Sequence, residues 1–286
     1  MYIIFPSSYL NKRNVEPDYK AECEAAIRNG LDIVLFNQCL WDNNKEIEIS
    51  ILQGDTNYGK EVFVYRGWMM KPEEYEKFYT LLMEKNIRLI TTPEQYSNLH
   101  EFDKSYPMVK EDAPKTFFFE SITEISIDFI NSQMKRFMIK DFVKSVKGTD
   151  FPEYFEHPSQ EEFDKWVKKF VEYRGDLFTG GIQIKEYLNL KKYGEKTNEY
   201  RVFYMNGYPI FVIPNSNQPK DAKELPKDIV SKYYLLPSPF YTVDFIECED
   251  GTFKVIETGD GGVSGLSEKQ DLDLFYNELR SEINEN

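Results

Sequence analysis

Cysteine and histidine are scarce in this chain. Its 286 residues include three scattered cysteines (Cys23, Cys39, Cys248) with no C-x-x-C pair, and two isolated histidines, His100 and His157. That excludes zinc fingers, HExxH metalloproteases and a disulfide framework. The three thiols are expected to stay reduced in a cytoplasmic protein. Long apolar runs are missing too: no stretch approaches the roughly 18 residues of a membrane span. The opening MYIIFPSSYLNK lacks a basic region followed by a long apolar run, so no signal peptide is expected. Positive charge is in deficit, with 35 Lys and Arg against 49 Asp and Glu, a net charge of -14. A field of that sign repels phosphate, which excludes a nucleic-acid coat or an anionic-membrane binder but leaves room for a local basic site. Internal repeats and low-complexity tracts are absent. No GxxxxGK[ST] loop is present, and GDGGVSG (259–265) fits neither GxGxxG nor GxSxG. Covalent hydrolase chemistry therefore has no support.

What remains is a chain able to bury a large core, with 41% hydrophobic residues, 22 Phe and 20 Tyr. Its length suits one large domain or two ordinary ones. The first third alternates strand and helix signals. MYIIF (1–5), LDIVLF (31–36), EVFVYRG (61–67) and IRLITT (87–92) read as strands, while 19–30 and 72–86 read as helices. That alternation predicts a parallel α/β sheet. The segment 104–115, with two prolines and mixed charge, reads as a linker. Beyond it the texture is antiparallel, with strands at 136–142, 180–188, 199–205, 208–213, 241–247 and 252–257. Asn206-Gly207 and Glu249-Asp250-Gly251 predict two hairpin turns. Helices are expected at 121–133, 160–174 and 267–284, and polar loops at 148–160, 190–198 and 214–227.

Two charge constellations carry chemistry. MKRFMIKDFVKSVK (134–147) holds Lys135, Arg136, Lys140, Lys144 and Lys147 against one acid, Asp141. A basic island in so acidic a chain points to an anion site, most naturally phosphates. On a strand, 140, 142 and 144 share one side, so Lys140 and Lys144 could converge. The alternative is a solvated edge strand guarded by lysines. The second constellation is acidic. Hairpin pairing would set Asp244 near Glu257, with Asp260 three residues on, a set suited to Mg²⁺ beside phosphate oxygens. The alternative is a turn rich in Asp and Gly for backbone reasons. Arg201, in mid-strand, could clamp a transferring phosphoryl group or form a structural ion pair with Glu199. Arg66 ends a parallel strand, where open α/β sheets place ligands.

Five segments, in order, resemble the ATP-grasp superfamily and within it the R-two-K clade, named for one arginine and two lysines. VYRGWMM (64–70) with PEQYSNLHEFDKSYP (93–107) is similar to the clade's N-terminal domain, IKDFVKSVKG (139–148) to its lysine motif, and FTGGIQIKEYLNL (178–190) to the hinge between subdomains. TNEYRVFYMNGYPI (197–210) is similar to its arginine strand and VDFIECEDGTFKVIETGDGGVSGL (243–266) to its magnesium-binding end.

The resemblance implies an N-terminal parallel α/β domain of the pre-ATP-grasp type over 1–112. An ATP-grasp fold with antiparallel sheets would follow over 113–286, divided into 113–186 and 187–286. It implies ATP and Mg²⁺ as cofactors. Lys140 and either Lys144 or Lys147 would hold phosphates. Glu186, Tyr187 and Leu188 would form the adenine hinge, and Lys185 beside them would also bind the nucleotide. Arg201 would stabilise the transferring phosphate, and Arg66 would contact substrate. Asp244, Glu257 and Asp260 would hold Mg²⁺. Where many relatives end this motif Glu-x-Asn, the chain has Glu257-Thr258-Gly259-Asp260. Lys185 stands where relatives carry an arginine, and lysine lacks the forked contacts. The implied reaction joins a carboxylate to an amine or thiol through an acyl phosphate, on a small-molecule or peptide substrate. A nucleotide-binding module without catalysis, acting as scaffold or sensor, and a purely structural α/β protein are the other readings. No nucleic-acid or membrane partner is expected.

Overall fold

The computed structural model describes residues 1–55, 61–214, 218–266 and 270–284. The chain opens with β1 (Tyr2–Pro6), α1 (Lys20–Arg28), β2 (Asp32–Phe36), α2 (Gln38–Asn44), β3 (Ile49–Gln53), β4 (Val62–Tyr65), α3 (Pro72–Met83) and β5 (Arg88–Leu89). These strands form one sheet in the order β3-β2-β1-β4-β5. All its pairs are parallel except β2 with β3. Every residue of β1 is buried, as expected of strands covered on both faces. The expected strand at 87–92 shrinks to two residues, and α2 and β3 carry too few periodic positions to be read from sequence.

Next come α4 (Pro93–His100), α5 (Phe102–Val109), β6 (Thr116–Phe119), α6 (Ile127–Gln133), β7 (Arg136–Asp141), β8 (Phe155–Glu156), α7 (Gln160–Arg174) and β9 (Ile182–Glu186). The segment expected as a linker is helical through Val109 and buries Val109 and Ala113 in a core. Apolar packing overrides Pro107 there. The helix expected at 121–133 begins later, because Ser126 caps α6 by accepting from the Phe129 N–H. In α7, Ser159 caps the start, and Phe163, Val167 and Phe170 make one buried stripe at helical spacing. The second sheet runs β6-β9-β7-β8, antiparallel throughout, over a core of its own with α6 and α7.

The chain ends with β10 (Lys192–Tyr193), β11 (Lys196–Thr197), β12 (Glu199–Met205), β13 (Tyr208–Pro214), α8 (Lys227–Ser231), β14 (Phe240–Glu247), β15 (Phe253–Asp260) and α9 (Leu272–Asn284). Two expected loops thus carry short strands, β8 and the β10–β11 pair; residues 215–217 and 267–269 of the expected 214–227 loop and 267–284 helix lie outside the described residues. The third sheet is antiparallel in the order β13-β12-β14-β15. Asn206 and Gly207 both take positive φ, 50° and 87°, the type I′ geometry that Asn-Gly favours. The first and third sheets share a core. Ile3, Phe5, Ile33 and Leu35 meet Phe203, Met205 and the α9 residues Phe275, Tyr276 and Leu279. Helices α4 and α5 bury Leu99 and Phe102 against Val243 and Val255. Among the described residues no helix is long and apolar enough to cross a membrane.

Candidate active site

The basic island folds back on itself. β7 ends at Asp141, so Lys144 lies beyond the strand and not on its alternating face. Asp141 is fully buried. Its Oδ1 accepts from the N–H groups of Val143 (2.8 Å) and Lys144 (2.6 Å), and its Oδ2 from Arg174 Nε (2.7 Å). This side chain makes the turn that brings Lys144 alongside Lys140. The two lysines converge on one acid: Lys144 Nζ is 3.0 Å from Glu257 Oε1, and Lys140 Nζ is 4.0 Å from Oε2. Burial pushes the Glu257 carboxyl up, but Lys140 and Lys144 outweigh it and hold the group at about 2. Lys185, also buried, donates to the Ile256 carbonyl and sits 4.2 Å from the Phe102 ring centre. Burial first, and Lys140 second, lower its pKa well below the ordinary lysine value.

Arg201, Asp244 and Glu257 lie abreast on three adjacent strands. Arg201 pairs with Asp244 across β12–β14, and Asp244 with Glu257 across β14–β15. The Arg201 guanidinium grips Asp244 through both oxygens, at 2.8 and 2.7 Å, the forked geometry of a strong ion pair. Its partner is thus Asp244 and not Glu199. Burial raises the Asp244 carboxyl even so. The β14–β15 register slips just beyond this row, between Asp244 and Phe245, a bulge of the kind that re-aims side chains beside functional sites.

Two cavities meet at this row. A cleft of about 600 Å³ opens between the second and third sheets. Met138, Val146, Leu188 and Ile246 give it apolar walls, and Lys140, Lys144, Lys147, Lys185, Glu186 and Tyr187 also line it. Lys147 is exposed at its rim. Tyr187 packs against Tyr154 with ring centres 4.7 Å apart and planes tilted by 35°, and donates to Glu153. A chamber of about 130 Å³ lies beyond, lined by Met69, His100, Arg201, Asp244 and Ser264. Lys144 and Glu257 border both spaces.

Two expected site residues point elsewhere. Arg66 is 1% exposed. It forks onto Glu22 at 2.9 and 3.0 Å and donates to the carbonyls of Gly261 and Ser264 at 2.5 and 2.8 Å. Four of its five N–H groups tie α1 to the glycine-rich turn after β15, and it is not among the residues lining either cavity. Asp260 does not join Asp244 and Glu257. Its buried Oδ1 accepts from the Gly262 N–H at 2.8 Å, and burial pushes its carboxyl up to about 7. Among the described residues no three His, Cys, Asp or Glu side chains form a metal-holding group. The carboxylates that do stand together are Asp244 and Glu257, a donor pair that fits Mg²⁺ sharing its remaining positions with phosphate and water.

His100 is the residue that sequence reasoning passed over. It is buried, stacks at 4.8 Å on Tyr96 and lines the small chamber. Burial, then Lys144, lowers its pKa to about 4, so the imidazole is neutral. Its place in PEQYSNLHEFDKSYP was the available signal.

The profile of one family, ATP-grasp domain, R-two-K clade family 3, matches residues 102–279. No curated protein sequence matches the chain. Among solved structures, it is similar to the D-cycloserine synthetase DcsG, with TM-score 0.63 and 15% identity over 98% of both chains. The ATP-grasp ligase PsnB, complexed with minimal precursor, Mg and ADP, superposes with TM-score 0.61 and 9% identity, covering 98% of this chain and 96% of that one. A D-alanine–D-alanine ligase from Bacillus anthracis, complexed with ATP, gives 0.59 and 14%, over 99% and 95%.

Proposed function

The chain belongs to the ATP-grasp superfamily, R-two-K clade family 3, and on that premise we propose that it is an ATP- and Mg²⁺-dependent ligase. It joins a carboxylate to an amine or thiol through an acyl phosphate. The observation that carries this reading is the meeting of Lys140, Lys144 and Glu257, beside the Arg201–Asp244 pair, where the large cleft opens into the small chamber.

The cleft takes the nucleotide. Its apolar walls and the Glu186–Tyr187–Leu188 edge receive the base. Lys140 and Lys144 receive the phosphates, and Lys144 lies nearer the chamber than the rim residue Lys147. With the lysines neutralising phosphate, Glu257 and Asp244 would be free to hold Mg²⁺. The ion would screen the phosphate charge when bound. The chamber takes the carboxylate. Its oxygen attacks the γ-phosphorus, the bond to ADP breaks, and an acyl phosphate forms. The nucleophile then attacks the acyl carbon, phosphate leaves, and the nucleophile loses a proton. Arg201, at the border of the chamber, places a cation where charge builds during both transfers. Removing one such stabiliser costs on the order of 10²–10³ in rate. The structural neighbours named above include a D-alanine–D-alanine ligase and a ligase complexed with its minimal precursor, which supports an amino acid or peptide substrate here.

Thermal unfolding with and without ATP and Mg²⁺ tests the site. ATP at 100 times its dissociation constant adds about 2.7 kcal/mol. Lys140→Ala should lose that response, and Glu257→Ala its Mg²⁺-dependent part. ADP release across a panel of amino acids and short peptides then tests catalysis. No stabilisation of the unaltered protein would refute the nucleotide site. Stabilisation without ADP release from any carboxylate–amine pair would favour a binding module.

A further inference from the structure

A third cavity, of about 500 Å³, lies at the carboxyl ends of β1, β2 and β4. The strand order reverses about β1 here, the place where open α/β sheets receive ligands. None of the groups assigned to nucleotide or Mg²⁺ lines it. Its walls are aromatic and acidic: Tyr9, Trp41 and Trp68, with Glu16, Asp42 and Glu74. Tyr9 and Trp68 are exposed at its mouth, as is Met69, and large apolar side chains grouped at a cavity mouth mark a binding surface.

Two of the lining residues each carry a buried oxygen that accepts no hydrogen bond, Gln38 Oε1 and Glu16 Oε2. Gln38 is 6% exposed, and its Nε2 is committed to Asp42 Oδ1 at 2.8 Å, which fixes the amide with its oxygen unpaired. Both unpaired atoms are acceptors, so the wall of this cavity is short of hydrogen-bond donors. The cation among the lining residues, Lys45, is already used. It lies 2.8 Å from Glu74 and 5.1 Å from the Trp41 ring centre. That contact also shows a ring of this cavity attracting a cation. Partial burial raises the carboxyls of both Glu16 and Asp42, and a bound positive charge would lower them.

We propose that this cavity holds an ammonium or guanidinium group of the second substrate of the ligase, carried on a flexible stem like that of a lysine or arginine side chain. The assignment to a substrate rests on the ligase reading above; the cation site itself does not. Met69 lines both this cavity and the small chamber that holds Arg201 and Glu257. A molecule anchored here and reaching past Met69 presents a different group to the reacting centre. A nitrogen held as a cation has no lone pair for attack. The cation is therefore a recognition handle, separate from the nucleophile.

Two of the three tryptophans line this cavity, so intrinsic fluorescence of the full chain reads its occupancy. L-lysine, L-arginine and agmatine should change the emission saturably, while norleucine and citrulline should not. Glu16→Gln and Asp42→Asn should each weaken the charged probes about tenfold or more, since a charge-assisted hydrogen bond is lost. Lys140→Ala should keep the response. If no cationic probe acts while ATP still stabilises the protein, the inference is overturned and the ligase reading stands. Equal binding of the neutral analogues overturns it as well. If the cations bind and ATP does not stabilise, the cation site is upheld and the assignment to a ligase substrate falls with the nucleotide reading.

Discussion

Replacing Arg66 by methionine should unfold the protein far more readily while leaving nucleotide recognition in place. The guanidinium joins three parts of the chain: Glu22 on α1, the carbonyls of Gly261 and Ser264, and the rings of Phe203 and Phe275 beneath it. Methionine keeps the apolar packing and removes every donor. Glu22, itself 6% exposed, would keep one charge partner fewer and only the Tyr276 hydroxyl at 2.8 Å. Breaking a buried pair from one side costs about 3–5 kcal/mol. Against a total stability of roughly 5–15 kcal/mol, that lowers the melting temperature by on the order of 10 °C. Arg66→Lys should fall between, because one ammonium cannot serve the carboxylate and two carbonyls at once. Glu22→Gln in the Arg66→Met background should cost much less than Glu22→Gln alone, with a coupling of at least about 1 kcal/mol. Urea unfolding of the four proteins measures this, with unchanged m values required. A loss below about 1 kcal/mol for Arg66→Met, or additive single losses, would refute the structural role. Loss of the ATP response at unchanged stability would return Arg66 to the ligand side.

His100 gives a pH signature. Unfolded, its pKa is about 6.5, and folded it is about 4. Above pH 6.5 both states hold it neutral and it contributes nothing. As pH falls below 6.5 the unfolded chain takes up the proton first, so stability drops by up to about 1.4 kcal/mol per pH unit until the folded value is reached. His100→Gln should flatten that part of the urea-midpoint profile, and a variant profile parallel to the parent's would contradict the burial argument. Gly181→Ala should unfold the second sheet at its β6–β9 edge, because the added carbon would lie 2.1 Å from the Phe119 carbonyl oxygen. Gly148→Ala, with φ +73° but nothing within 4 Å, should cost only the backbone term of about 1 kcal/mol. Melting temperatures of the two variants, if equal, would refute the steric reading.

The hairpins were legible because their signals are local. Asn206-Gly207 and Asp250-Gly251 stand between runs of period two, and both turns form. The turn's register alone sets Asp244 opposite Ile256, and it is the bulge between Asp244 and Phe245 that brings it against Glu257. The meeting of Lys140 and Lys144 was expected from strand alternation, but it depends on Asp141, counted only as the one acid of the basic island, whose carboxylate builds the turn. Arg66 and Asp260 could not be placed from sequence, because side-chain direction at a strand end is set by what packs across it. For Arg66 that is a glutamate 44 residues earlier and a turn nearly 200 later. His100 owes its lowered pKa first to burial and then to Lys144, both of which are set only by the tertiary fold. The five segments read in order gave the family because each is short and carries its own chemistry.

The shared core of the first and third sheets also constrains how the chain can be made. One face of the first sheet, with Ile3, Phe5, Ile33 and Leu35, is covered by Phe275, Tyr276 and Leu279 of α9. During synthesis at roughly 5–20 residues per second, that face emerges from the ribosome on the order of ten seconds or more before its cover. The early sheet must therefore wait part-finished, with apolar surface open to chance association. Its docking on the late helix is a long-range contact of the kind that slows folding. A pulse-labelling experiment on stalled nascent chains would find the amides of β1 and β2 fully protected only once α9 has cleared the exit tunnel.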